Sequence, residues 1–171
     1  EILEALDFVA DNKIQRMIVV GLGSNLLFPD GLFDGAVLRI KSGDVLQIKH
    51  VGDGLIESYA GEMLDDVIGF GFNLGYTGLE WAGGMPGTVG AAVRGNVGAF
   101  GGEIKNNLIS ADVLEIGDGG TEYRTLTNDA LSFSYRSSLV KRDPRLVVVS
   151  ATFGLHRAGA EETERAREVY L

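Results

Sequence analysis

Gly83-Gly84-Met85-Pro86-Gly87-Thr88-Val89-Gly90-Ala91-Ala92-Val93-Arg94-Gly95-Asn96-Val97-Gly98-Ala99-Phe100-Gly101-Gly102 is the stretch on which the fold turns. Of the 25 glycines in 171 residues, twelve fall between Gly69 and Gly102. So many glycines raise the entropic cost of ordering the chain, and their compensation is that backbone can approach something closely. Pro86 suits a first helical turn, and Gly87, Gly90, Ala91 and Ala92 give the helix that follows a face almost without side chains. A flat or phosphorylated group would find free N–H groups and a favourable dipole at its N-terminus. Close packing of two elements through small residues accounts for the same pattern. The next segment, Asn96 to Glu103, reads either as a second stretch of bare backbone at a site or as a flexible loop.

Outward from this block the chain alternates short strands with helices. Upstream, Met63, Leu64, Val67 and Ile68 form a helical stripe that stops near Gly75. Before it, Leu55–Ala60 and Val45–Val51 read as strands joined at Gly52-Asp53-Gly54, and Ala36–Ile40 and Met17–Val20 as two more. The intervening turn residues predict an antiparallel meander. Ile2, Leu3, Leu6 and Val9 share one helical face that ends at Asp11-Asn12. Downstream, Leu108–Ile116 and Glu122–Leu126 form a hairpin about Asp118-Gly119-Gly120, Thr127 N-caps a short helix over Asn128–Leu131, and Leu146–Leu155 is a long strand. A charged helix is expected over 158–170. Helices interspersed with meandering strands make the chain α+β, not a doubly wound sheet.

Composition narrows the function. A hydrophobic share of 45% and a charged share of 23% belong to a globular protein. The net charge of −9 argues against nucleic acid or an anionic membrane as partner, because both select for clustered Lys and Arg. It leaves room for a phosphorylated ligand held by backbone N–H groups. With no cysteine, and with His50 and His156 far apart, no metal site is expected. No apolar run is long enough to span a membrane and no basic-then-apolar signal opens the chain, so the expected location is the cytoplasm.

Two further segments carry chemistry. Gly21-Leu22-Gly23-Ser24-Asn25 follows a strand, as a dinucleotide-binding loop does. Leu26 stands where the third glycine of that fingerprint belongs, and Pro29-Asp30-Gly31 denies it the helix. What survives is a loop whose N–H groups, Ser24 hydroxyl and Asn25 amide cradle phosphate without a helix, or else a tight turn ending a strand. Phe133-Ser134-Tyr135-Arg136-Ser137-Ser138 sets an arginine fork beside an aromatic ring among serines, a corner fit for carboxylate or phosphate. An exposed loop arginine is the plainer alternative.

In this order, the four segments resemble the UDP-N-acetylenolpyruvoylglucosamine reductase family of peptidoglycan synthesis. The resemblance rests on Gly21-Leu22-Gly23-Ser24-Asn25-Leu26-Leu27, on Gly78-Leu79-Glu80 leading into Pro86-Gly87-Thr88-Val89-Gly90, on Asn96 to Glu103, and on Ser134-Tyr135-Arg136-Ser137-Ser138. It implies a two-lobed FAD-binding domain of the vanillyl-alcohol-oxidase (PCMH) type, with residues 1–60 as first lobe, 61–157 as second, and 158–171 leading toward a substrate domain beyond Leu171. It implies cofactor contacts at Gly21, Gly23, Ser24, Asn25 and Leu26, then at Pro86, Gly87, Thr88 and Gly90, then at Asn96, Gly98, Ala99, Gly101 and Gly102.

The reaction implied is reduction of UDP-N-acetylglucosamine enolpyruvate to UDP-N-acetylmuramate, with FAD as cofactor and NADPH as hydride donor. Arg136 is the implied catalytic cation, with Tyr135 beside it. The family's proton-donor serine and a late glutamate belong to sequence beyond Leu171, and an FAD-contacting strand to sequence before Glu1. Two small departures are Gly95 in place of a bulkier residue and Phe100 in place of a common tyrosine. The rival readings are another FAD-linked oxidoreductase of the same fold and a non-catalytic flavin-binding fragment.

Overall fold

A computed structural model describes residues 1–28, 30–117 and 119–159. The chain opens with helix α1 (Ile2–Asp11), whose buried side chains are Leu6 and Val9. It ends at Asn12, with Lys13 in the left-handed region at φ 51°. Strands β1 (Met17–Val20) and β2 (Ala36–Arg39) pair in parallel, Met17 opposite Ala36 and Val20 opposite Arg39. This corrects the expected meander. The chain between 21 and 35 carries β2 back to run in the same direction as β1, and β2 does not join the strand after it.

The main sheet has five strands in the order β3-β4-β10-β8-β9, all antiparallel. They are β3 (Ile48–Gly52), β4 (Leu55–Tyr59), β8 (Leu108–Gly117), β9 (Gly120–Thr127) and β10 (Leu146–Gly154). The strand expected to start at Val45 begins only at Ile48, and Val45 and Leu46 are exposed. By register, Ile56, Ser58, Ala111, Val113, Val148, Ala151 and Phe153 share one face, and all are buried. The opposite face carries Glu57, Asp112, Ser150 and Thr125, where Thr125 and Ser150 each donate a 2.7 Å hydrogen bond to Asp112. A slip of one residue would bury that carboxylate and expose the apolar row, whose buried aliphatic and aromatic side chains contribute about 1.5–3 kcal/mol each. That asymmetry fixes the register.

Helix α2 (Leu64–Asn73) packs on β4 and closes at Gly75, φ 80°. Short strand β5 (Tyr76–Thr77) later pairs with β11 (His156–Arg157). Helix α3 (Val89–Gly95) lies on β10 and β4. A small hairpin, β6 (Gly98–Ala99) and β7 (Gly102–Glu103), runs into α4 (Ile104–Asn107). Helix α5 (Leu139–Arg142) precedes β10. α1 covers part of β8 and β9.

Two local expectations need correction. Pro86 and Gly87 precede α3 and are not its first turn, because Thr88 is the N-cap. Thr127 does accept a cap-like bond from the Ala130 N–H at 3.3 Å, yet 128–132 makes a turn and no helix. Asn128 instead donates its amide to Lys105 and Leu108 carbonyls, which ties the segment down. The helix expected over 158–170 lies, from residue 160, outside the described residues, as do Asp118 of the β8–β9 turn and Pro29. Among the described residues no helix is long and apolar enough to cross a membrane.

Candidate functional site

The loop that leaves β1 lies against the segment that enters α3. Gly21 sits directly on Thr88: a Cβ there would collide with the threonine hydroxyl. Ser24 Oγ donates to the Pro86 carbonyl at 3.0 Å, bridging 62 residues of sequence. The turn itself closes through Leu26 N–H to Gly23 O at 3.1 Å, with Gly23 at φ 78°. Among the described residues the N–H groups of Gly23, Ser24 and Asn25 have no partner, and Asn25 and Leu26 are exposed. Successive unpaired N–H groups in a turn form a concavity that favours an anion.

The start of α3 is a different matter. Val89 N–H donates to Glu62 O and Gly90 N–H to Ala60 O, both at 2.9 Å. These first N–H groups of the helix are used to bind it to the β4–α2 connection. Val89 and Gly90 therefore offer no free N–H to an anion, whereas the N–H groups of Gly87, Thr88 and Ala91, like those of the 23–25 turn, have no partner among the described residues.

What a Cβ would meet sorts the glycines of the expected site into two kinds. Gly21 abuts Thr88, and Gly90 would meet Ala60 Cβ at 2.9 Å. Gly98 would meet Gly102 O at 2.7 Å, and Gly102 would collide with the Trp81 indole. These four are bare because protein packs on them. Gly87 and Gly101 have nothing within 4 Å of such a Cβ, and Gly23 only Val20 Cγ1 at 3.8 Å. Bare backbone beside open space is what a flat cofactor requires, so Gly23, Gly87 and Gly101 fit one.

At the far end of α3, Asn96 takes a left-handed conformation (φ 42°, ψ 57°) and is 1% exposed. Its Nδ2 donates to Glu103 Oε2 at 2.7 Å and to Ser134 O at 3.0 Å, and its Oδ1 accepts the Lys105 N–H at 3.1 Å. The carboxamide of Asn96, a residue expected along the cofactor, is thus occupied by protein. Beyond it, Ala99 pairs with Gly102 across a two-residue turn, Phe100 and Gly101, whose φ values of 49° and 85° have the signs of a type I′ turn. A phenylalanine at positive φ is strained. Phe100 nonetheless stands at the tip, 95% exposed.

Ser134 and Ser137 exchange two 3.0 Å backbone hydrogen bonds, so that Tyr135 and Arg136 form a second two-residue turn. Arg136 is at φ 52°, and Tyr135 is 87% exposed. Helix α5 holds this turn from below. Lys141 Nζ donates to Arg136 O at 2.7 Å, while Arg142 donates to Ser137 Oγ at 3.2 Å and to Ser132 O at 2.9 Å. Ser138, buried, donates to Arg94 O at 2.8 Å and accepts the Lys141 N–H, capping α5. The Glu103 carboxyl lies below its ordinary pKa: hydrogen bonds from Lys105 and Asn96 and the charges of Lys105 and Arg136 outweigh the opposing effect of burial.

The expected residues therefore gather at the two ends of α3, which spans roughly 10 Å at 1.5 Å per residue. One end holds the 21–25 turn and 86–88, and the other the 98–103 hairpin with the Tyr135–Arg136 turn. Sequence reading missed Glu62, Trp81, Lys141 and Arg142. Glu62 is fully buried and accepts Ser42 Oγ at 2.7 Å and Gln47 N–H at 2.9 Å. Trp81 backs the β6–β7 hairpin, and its Nε1–H is buried without a partner among the described residues. The single tryptophan was a signal available in the composition, whereas the burial of Glu62 is set by the fold. Among the described residues no group of three or more His, Asp or Glu could hold a metal ion.

The family model described as an FAD binding domain matches residues 1–123. Curated relatives named UDP-N-acetylenolpyruvoylglucosamine reductase include one from Saccharopolyspora erythraea, 38% identical over 94% of this chain and 43% of its own length. Another, from a Synechococcus species, is 39% identical over 95% of this chain and 52% of its own. The chain spans about half the length of the curated relatives it matches. The solved UDP-N-acetylenolpyruvylglucosamine reductase (MurB) of Thermus caldophilus superposes with a TM-score of 0.71 at 28% identity, over 90% of this chain and 54% of that one. A solvent-stable cholesterol oxidase superposes at 0.68 with 16% identity, over 91% of this chain and 32% of that one, a likeness of fold alone. The fold is the α+β, two-lobed PCMH type, and the chain belongs to the FAD binding domain family.

Proposed function

We propose that this chain is the FAD-holding part of a reductase that converts UDP-N-acetylglucosamine enolpyruvate to UDP-N-acetylmuramate in peptidoglycan synthesis, using NADPH and acting in the cytoplasm. The observation that carries the reading is the arrangement about α3: unpaired N–H groups at one end, and an arginine turn pressed against a glycine hairpin at the other. In this reading Gly23, Ser24 and Asn25 hold the pyrophosphate, with Leu26 against the cofactor. Pro86, Gly87 and Thr88 line its path, and Ala99 and Gly101 flank it farther on. Gly21, Gly90, Gly98 and Gly102 serve by letting protein pack closely behind those contacts.

FAD, when bound, supplies hydride acceptance from NADPH and hydride donation to the enolpyruvyl group. The protein's part at Arg136 is electrostatic. As charge builds on the substrate carboxylate, the guanidinium of Arg136, carried on a turn whose backbone is held by Lys141 and the Ser134–Ser137 bonds, stabilises it. Tyr135 stands beside it as a second contact. We take the lobes as residues 1–60 and 61–157, with 158–171 leading on, although β3 and β4 of the first share a sheet with β8 to β10.

The test is an FAD titration followed by Trp81 emission, since the single tryptophan backs the β6–β7 hairpin. Quenching with saturation supports the reading, and no response at millimolar FAD refutes it for this chain. In the full-length protein that carries the chain, NADPH oxidation dependent on the enolpyruvyl substrate separates this reductase from another FAD-linked oxidoreductase.

A further inference from the structure

We infer that Asn96 is a positioning residue for the reductase reaction, one that sets the Tyr135–Arg136 turn against the β6–β7 hairpin without touching the cofactor itself. The inference deepens the proposed function and rests on it.

Three segments far apart in sequence converge on one carboxamide. Asn96 Nδ2 spends both hydrogens, one on Glu103 Oε2 in β7 and one on Ser134 O at the base of the arginine turn. Its Oδ1 takes the Lys105 N–H at the start of α4. At 1% exposure the side chain has no surface left for a ligand. Its backbone N–H is used as well, on Val93 O. Asparagine also tolerates the left-handed backbone that ends α3. One residue thus closes the helix and joins the two turns that its end supports.

The join matters because nothing else described so directly connects these turns. Each turn is internally closed, the hairpin by Gly98–Glu103 and Ala99–Gly102 pairing, the other by the Ser134–Ser137 bonds. Each also carries a strained residue at its tip, Phe100 and Arg136 at positive φ. Their internal geometry survives loss of Asn96, whereas their separation does not. If bare backbone at Gly101 borders the flavin and Arg136 meets the substrate carboxylate, that separation sets the distance over which hydride must pass.

The experiment uses the full-length protein that carries this chain, as wild type, Asn96→Gly and Asn96→Asp. Glycine keeps the left-handed backbone at no steric cost and removes only the three ties. It should leave FAD affinity and flavin reduction by NADPH essentially unchanged. It should slow reduction of the enolpyruvyl substrate by about 10²-fold, the scale of a misplacement of about 1 Å. Aspartate keeps the shape and the Lys105 bond but sets a second carboxylate against Glu103, with Lys105 and Arg136 the nearest cations. Two carboxylates sharing a site hold a proton more tightly, and the protonated pair restores one donor. Asn96→Asp should therefore be slow at neutral pH and recover rate as pH falls, a profile that wild type and Asn96→Gly lack. The aspartate pH profile also stands as the test if the glycine variant does not fold. Loss of FAD affinity with equal slowing of both half-reactions would make Asn96 a cofactor contact and overturn the inference. So would two intact half-reactions in Asn96→Gly, or no recovery in Asn96→Asp. A wild type that binds no FAD or leaves the enolpyruvyl substrate unreduced refutes the proposed function instead.

Discussion

Alanine at Gly102 and alanine at Gly87 should separate the two reasons for bare backbone. At Gly102 the added methyl collides with the Trp81 indole, a rigid ring packed behind the β6–β7 hairpin and unable to yield as a flexible side chain would. Overpacking of this kind costs about 1–3 kcal/mol. For a chain of this size that corresponds to a fall in Tm of roughly 2–12 °C, at about 2–4 °C per kcal/mol. At Gly87 the methyl meets nothing within 4 Å, and φ is not in the left-handed region. Folding should gain about 0.4–1 kcal/mol from the lost freedom of the unfolded chain. If FAD runs past Gly87, the same methyl enters the cofactor's space, and a clash of about 1–3 kcal/mol weakens binding roughly 5- to 150-fold. Thermal melts without FAD and Trp81-monitored titrations below the melting range read the two effects separately. A Gly87→Ala variant that binds FAD like wild type would remove the cofactor from the space beside Gly87. A Gly102→Ala variant with an unchanged Tm would refute the sorting of glycines by packing.

Other outcomes follow from single contacts. Asn25→Asp should weaken FAD binding in titration, because it sets a carboxylate beside the unpaired N–H groups proposed to hold pyrophosphate. In the full-length protein Arg136→Ala should slow enolpyruvyl reduction by about 10²–10³ with little change in flavin reduction, and Arg136→Lys should restore part of it. Stopped-flow half-reactions decide, and equal slowing of both would strip Arg136 of its catalytic role. Glu62→Ala strands the Ser42 hydroxyl and the Gln47 N–H, so urea unfolding should show a loss of about 1–3 kcal/mol. For Asp112, burial alone would raise the carboxyl pKa, but hydrogen bonds from Thr125, Ser150 and Tyr123 prevail and lower it. Its stabilisation is therefore present above the unfolded value of about 3.9 and is lost as pH falls through the lower folded value. Asp112→Asn should flatten that acid limb of the stability curve.

Much of the fold was legible because periodicity and turn residues are local. α1, α2, β1 and β4, each flanked by Gly, Asn or Asp, and β10 lie within a residue or two of their expected bounds. Pairing is not local. Nothing in Met17–Val20 or Ala36–Arg39 states that they run in parallel, and turn residues between them suited a meander equally well. The cap at Thr127 was chemically right and structurally insufficient, since Asn128 spends its amide on carbonyls of Lys105 and Leu108 rather than leaving a helix to grow. In the candidate site, sequence gathered the glycines but not the reason each is bare. Gly87 and Gly102 look alike in one dimension, and only the position of Trp81 tells them apart. Asn96 was found for its place in a loop, yet its partners lie 7, 9 and 38 residues away.

The charge balance shows the same limit of one-dimensional reading. A net charge of −9 describes the whole chain, whereas a bound anion responds to charges within about 8–10 Å, beyond which salt screens them. Around the arginine turn cations gather. Lys141 and Arg142 bond to the turn itself, Ser138 ties it to the Arg94 backbone, and Lys105 stands beside Glu103, with Asp129 and Asp143 the other carboxylates on the adjoining backbone. The cations that fix the backbone of Arg136 are also the ones that raise the potential there. The same contacts thus hold the backbone that carries the guanidinium and bring positive charge beside it. In the proposed function this is how an acidic protein would hold a substrate carboxylate. Lys141 and Arg142 belong to no motif in the sequence, and only the fold of α5 brings them under the turn. Their work is visible only where their side chains reach back over the turn.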